Sequence, residues 1–142
     1  MTSQQKQVMD RVLSIWNGAD PAILKDIMIE SCTYHHYRYP TPLKGRQAVE
    51  NHIREIRQAF PDLTVSVDEM FAEDNRIVVK WSWTGTHKGR LGDIQPTGKR
   101  VRQDGVDIMH LNKDNKIAEA YCIADALMLL RQIEAVPASV HM

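Results

Sequence analysis

The side chains able to do acid/base chemistry gather towards the C-terminal end of the chain. Asp125 stands between a β-like run, Ile117 to Ala124, and an apolar helical run, Ala126 to Ile133. Burying an unpaired carboxylate costs several kcal/mol. Asp125 therefore either caps the helix, accepting from the N–H of Leu127 or Met128, or carries protons. Strand alternation groups it with Ile117, Glu119, Tyr121 and Ile123, against Ala118, Ala120, Cys122 and Ala124. The larger set suits the wall of a cavity; the small set suits close packing on another sheet or subunit. His110 lies on the preceding strand, which a turn at 113–116 folds back beside this one. Val106 and Ile108 share its face, so a core histidine is the competing reading. His110, Tyr121 and Asp125 on one wall would form an acid/base set.

Other residues carry weaker signals. His35 and His36, adjacent within YHHY (34–37), must point to opposite sides of a strand, so one pocket can receive only one of them. No helical HxxxH or paired CxxC accompanies them, and a metal site is not expected. Cys32 and Cys122 have neither a helix N-terminus nor an evident histidine partner, which argues against a nucleophilic thiol. Trp81 and Trp83 share a face with Ile77 and Val79, as core or subunit contact. The glycine-rich run 85–98 lacks GxxxxGK[ST] and leads into no helix, so it is not a phosphate loop.

The elements that must position these groups follow from periodicity. Val8, Met9, Val12, Leu13 and Trp16 predict an amphipathic helix over 3–17, ended by Asn17-Gly18. Asp20-Pro21 predicts a short second helix to about Met28. A strand over 29–39 is stopped by Pro40 and Pro42. Val49, Ile53, Ile56 and Phe60 predict a third helix over 45–60. The period then becomes two: strands at 63–71, 77–87, 99–112 and 117–124, joined by short turns, precede a helix over 125–133 and a frayed tail to Met142. This order predicts one α+β domain over residues 1–142, with an ordered core of about 3–134 and an antiparallel meander curved around helices.

Composition sets outer limits. The 142 residues are 43% hydrophobic, with 18 basic and 18 acidic side chains. Balanced charge without a basic block argues against nucleic acid or an anionic membrane as partner. There is neither a signal-peptide pattern nor an apolar stretch near the ~20 residues of a membrane span. Two cysteines offer no disulfide framework, so a reducing cytoplasm is the expected location.

Several motifs taken together resemble the SnoaL-like polyketide cyclases: GTHKGRLGDIQPTGKRV (85–101), NKIAEAY (115–121) with Asp125, LLRQI (129–133), QAFPDL (58–63) and the YHHY strand. The resemblance runs from about Trp16 to Ile133. It implies a cone, or α+β barrel, of the nuclear-transport-factor-2-like (NTF2-like) type, dimerising through its outer sheet face. It further implies ring closure of a polyketide by intramolecular aldol condensation without metal or cofactor. By that resemblance Asp125 is the acid/base residue and His110 its assistant. Tyr121 stands where tryptophan is usual, and His36 and His87 match recurrent histidines. Trp16 and Trp83 are expected to complete the substrate pocket. Asp93 and Gln95 depart from the usual Gly and Pro, in a loop that would shape the pocket.

The expected function is a cofactor-free acid/base enzyme, a cyclase or isomerase, acting on a small hydrophobic carbonyl compound. A non-catalytic carrier of such a metabolite is the alternative. An epoxide hydrolase would need a second carboxylate and an arginine, and Arg102 and Asp104 do not obviously form that set.

Overall fold

A computed structural model describes residues 1–137 and 139; most of the expected frayed tail lies outside the described residues. Helix α1 (Ser3–Trp16) opens the chain and starts at a capping box, Thr2 and Gln5 each bonding the other's backbone N–H. Asp20 caps a single 3₁₀ turn, Pro21–Ile23, which runs into α2 (Leu24–Ile27). Strand β1 (Met28–His36), the two-residue β2 (Leu43–Lys44) and helix α3 (Arg46–Ala59) follow. Strands β3 (Thr64–Glu73), β4 (Arg76–Thr86), β5 (Arg100–Leu111) and β6 (Ile117–Ala124) lead to α4 (Ala126–Gln132).

The strands form one six-stranded sheet in the order β2-β1-β6-β5-β4-β3. β3 to β6 are the expected antiparallel meander. β1 joins it parallel to β6, so the first long strand lies beside the last. Buried residues of α1, Met9 and Ile15 among them, pack on the inner sheet face with Val49 and Ile53 of α3, Ile77 and Val79 of β4 and Leu111 of β5. A second cluster joins Phe60, Leu63, Trp83 and Val101 to Leu129 and Ile133 at the C-terminal end.

Two irregularities change which side chains face inward. In β3 the register against β4 shifts between Val67 and Glu69. Phe71, grouped by strict alternation with Val65 and Val67, is consequently turned out and 53% exposed. In β6 the register shifts near its start: Leu111 pairs with Ile117, and His110 with Glu119. Ile117 is buried, but beyond the shift Ala120 and Cys122 are the buried residues, and Ile123 is 60% exposed. This corrects the expected faces of β6. Beyond the shift Ala120 and Cys122 face the interior, with Cys122 on a cavity wall, and Glu119, Tyr121 and Ile123 stand outside.

Candidate functional site

The interior between α1, α3 and the sheet holds a partly open cavity of about 70 Å³. At ~10–15 Å³ per water position, that is room for a handful of waters or a small organic group. Its walls are mostly apolar. α1 contributes Met9, Val12, Leu13 and Trp16, and Leu129 of α4 closes one side. Val79, Trp81 and Trp83 of β4 and Phe60 beyond α3 add the bulk of the hydrophobic surface.

Three of the polar groups, Asp107, Cys122 and His36, come from one transverse row of the sheet. Val79 pairs with Asp107, Asp107 with Cys122, and Cys122 with His36. Each shares the inner face with its neighbour, a strand spacing of ~4.8 Å away. Asp107 is 8% exposed and lines the cavity. Trp81 donates from Nε1 to its Oδ1 at 3.0 Å. The Cys122 thiol also donates to it, and the Tyr34 hydroxyl donates to Cys122 in turn. Burial pushes the Asp107 carboxyl up from 3.8 to about 6, against the opposing pull of its two donors. The same burial, with Asp107 beside it, pushes the Cys122 thiol well above its ordinary range, so Cys122 serves as a neutral donor and not as a nucleophile.

At the other end of the row stand His36 and His52, their ring centroids 4.4 Å apart. His52 comes from α3, one turn after Val49 on the same buried face. Burial lowers His36 to about 3 and His52 to about 4, with the charge on nearby Arg38 adding to both. Both rings are therefore neutral near pH 7. Gln103 is 1% exposed and ties the cavity to α4: it accepts from the Tyr37 hydroxyl at 2.9 Å and donates to the Asp125 carbonyl at 3.1 Å.

Of the seven residues proposed from sequence, Trp16, His36 and Trp83 reach this cavity. Asp125, His110, Tyr121 and His87 do not. Asp125 is exposed and is the N-cap of α4, its Oδ1 accepting from Met128 N–H at 2.9 Å. The chain turns out of the sheet there, so its carboxylate faces solvent while its carbonyl faces in. His110 and Tyr121 are on the outer sheet face, where Tyr121 stacks on His35 at 4.2 Å and Glu119 bonds His35 at 2.8 Å. His110 lies 3.8 Å from the same carboxylate. His87 is fully buried at the loop base, its Nδ1 held by Thr97, and its ring packs on Phe60 outside the cavity lining.

Asp107 and His52 were the residues missed. Helical spacing from Val49 marks His52. Asp107 alternates with Gln103, Gly105 and Met109, a mixed set that looks less inward than Val106 and Ile108. Among the described residues, no cluster of three or more His, Cys, Asp or Glu side chains is arranged to hold a metal ion.

Comparison with known proteins agrees with this architecture. The family model for SnoaL-like polyketide cyclases matches residues 6–133. This chain belongs to the SnoaL-like polyketide cyclase family. A SnoaL-like polyketide cyclase candidate from Jannaschia sp. CCS1 superposes with a TM-score of 0.86 at 21% identity, covering 95% of this chain and 94% of that one. A hydroxylase candidate, AclR from Streptomyces galilaeus, gives 0.83 at 22% identity over 99% and 87% of the two chains. A Catenulispora acidiphila protein with a ketosteroid isomerase-like fold, solved with trimethylamine, gives 0.76 at 12% identity over 95% and 97%. At these identities the likeness is one of fold, and it establishes the NTF2-like α+β architecture. No match was found among curated proteins.

Proposed function

We propose that this SnoaL-like protein is an acid/base catalyst for a small hydrophobic carbonyl compound, with Asp107 as the proton carrier. The observation that carries the reading is a carboxyl group buried in an apolar cavity with its own oriented donors. Asp107 as carboxylate takes a proton from the carbon beside a carbonyl, leaving an enolate. The enolate carbon then attacks a second carbonyl in an aldol closure, or is reprotonated elsewhere in an isomerisation. Asp107, now neutral, returns the proton to the new alkoxide or carbon. The proton balance closes on one residue, and the chain's own groups suffice for the cycle. A base whose pKa lies near 6 is strong enough to act and largely ionised at pH 7. Trp81 and Cys122 keep the carboxylate oriented, and the apolar wall excludes competing water.

We take the substrate to be a polyketide-like molecule, a reading that family membership supports, and the cavity favours a small one or a single ring of a larger one. A reducing compartment suits two buried free thiols, and the cytoplasm is the location we assign. The partner we assign, besides substrate, is a second copy of the chain. It would pack on the outer sheet face, where Phe71, Val78, Ile108 and Tyr121 are successive cross-strand neighbours.

The test uses 2-indanone, an apolar ketone with acidic α-hydrogens, in deuterated buffer followed by NMR. The protein should accelerate α-hydrogen exchange, with the rate rising as pH passes about 6 and flat above it. Asp107→Asn should lose on the order of 10²-fold or more, the usual worth of a positioned acid/base. Binding of 2-indanone with no acceleration by wild type would replace the enzyme with a carrier.

A further inference from the structure

The histidine end of the cavity has a feature that proton transfer at Asp107 does not use. His52 is 3% exposed, and its Nε2 has no hydrogen-bond partner among the described residues. A buried, unsatisfied donor or acceptor costs ~1–3 kcal/mol. The hydrogen-bond pattern favours a donor. Arg38 Nη1 donates to the Tyr39 hydroxyl oxygen at 3.2 Å, so the Tyr39 hydrogen is free to go to His52 Nδ1, 2.8 Å away. With Nδ1 accepting and the ring neutral, Nε2 carries the hydrogen. The same logic applies to His36, whose Nδ1 accepts from the Arg38 backbone N–H at 3.1 Å. Arg38 thus fixes the His36 tautomer and favours the same one in His52, and Glu55 anchors its guanidinium at 2.8 Å.

Two neutral imidazoles, both cavity-lining, therefore present Nε2–H donors at the end of the row away from Asp107. His36 and Asp107 stand on strands separated by β6, roughly 10 Å apart at ~4.8 Å per strand. We infer that His52, with His36 beside it, forms a recognition site for an uncharged acceptor oxygen of the substrate, a carbonyl oxygen remote from the carbon deprotonated at Asp107. This rests on the proposed use of the cavity and specifies its ligand as an oxygenated compound with acceptors at both ends. A carboxylate is the wrong occupant. The Arg38 charge is already committed to Glu55 and Tyr39, and an anion would enter an apolar cavity facing neutral donors.

The experiment measures binding and involves no proton transfer, so a failed role for Asp107 leaves its outcome readable. The probes are 5-acetylindane and 5-ethylindane, near-isosteres that differ by C=O against CH₂. Titrations are run by calorimetry at pH 8, where Asp107 is ionised and cannot donate to the ketone. The ketone should bind about 3- to 10-fold more tightly, as one net neutral hydrogen bond gives. His52→Phe should abolish that preference while leaving 5-ethylindane affinity nearly unchanged. Tyr39→Phe removes two hydrogen bonds at a half-buried position, those to Arg38 and His52, and should reduce the preference by releasing the tautomer. In ¹⁵N NMR the His52 Nε2 resonance should move with 5-acetylindane and stay with 5-ethylindane. A ketone preference that survives His52→Phe overturns the inference, as does an Nε2 resonance that ignores the ketone. Tighter binding of indane-5-carboxylate than of 5-acetylindane would also overturn it.

Discussion

Asp107 explains why a buried carboxyl can persist in a cavity wall and what it costs. Its folded value near 6 lies above its ordinary 3.8. A carboxyl raised in this way stabilises the fold below pH ~4, and that contribution is lost as pH rises through about 6. At ~1.4 kcal/mol per pH unit the loss amounts to about 3 kcal/mol. Asn in its place cannot ionise but keeps an oxygen for Trp81 Nε1–H. Asp107→Asn should therefore be more stable than the wild type at pH 8 by up to about 3 kcal/mol, with the difference vanishing near pH 4. Urea unfolding followed across that range measures it. His36 and His52 carry the opposite slope: their lowered values destabilise the fold as pH falls below about 6.5. Both remain in the variant, so the difference curve isolates Asp107. A variant inactive yet more stable at pH 8 would mark the carboxylate as retained for chemistry and not for folding.

At the scale of elements, the site depends on how β4 and β5 lie together. Gly105 pairs with Trp81, and a Cβ there would collide with the Trp81 ring and lie 2.9 Å from the Ile123 carbonyl. Gly105 is what lets the indole lie flat enough to reach Asp107. Gly105→Ala should push the ring away and remove a donor that holds the carboxyl down, moving the midpoint of the 2-indanone exchange profile above its wild-type position near pH 6. An unchanged midpoint would show that Trp81 does not tune the base. Asp125 gives the contrasting expectation. As an exposed cap its replacement by Ala should cost about 1 kcal/mol of stability, the usual worth of a cap, with exchange changed by little. Helices α1 and α3 were plain in the sequence because their apolar spacing was regular, and Asp20 and Asp125 marked two further helix starts as side-chain caps. Face assignment on β6 was not, because alternation says which residues share a side but not which side is in. Ala120 and Cys122 looked like packing against a neighbour, whereas Ala120 packs in the core and Cys122 faces the cavity.

At the scale of the molecule, one curved sheet separates two surfaces with different work. The family and the cone were legible because the GTH, PTGKRV and AFPDL segments are local signatures of turns and loop bases. The site was not, since Asp107, Cys122, His36 and His52 come from three strands and a helix and meet only through lateral pairing. The outer face is the reverse of the inner. Phe71, Val78, Ile108 and Tyr121 form a transverse apolar row, and Val106 and Ile123 pair one step along. Phe71 and Ile123 are the large apolar side chains most open to water on the sheet, 53% and 60% exposed. Charged residues border them: Lys80 bonds Asp68 at 2.9 Å, and Arg102 bonds Asp104 at 3.1 Å. An apolar centre with a polar border is what a self-complementary interface presents, and a twofold contact would use each row twice. Ile123→Arg places a charge at that centre, where burial without a partner costs several kcal/mol. Sedimentation should show the wild type as a dimer and the variant as a monomer that keeps its circular dichroism. Because Ile123 points away from Asp107, the monomer should still bind 2-indanone. Loss of binding together with dissociation would mean that the outer contact holds the inner wall in shape.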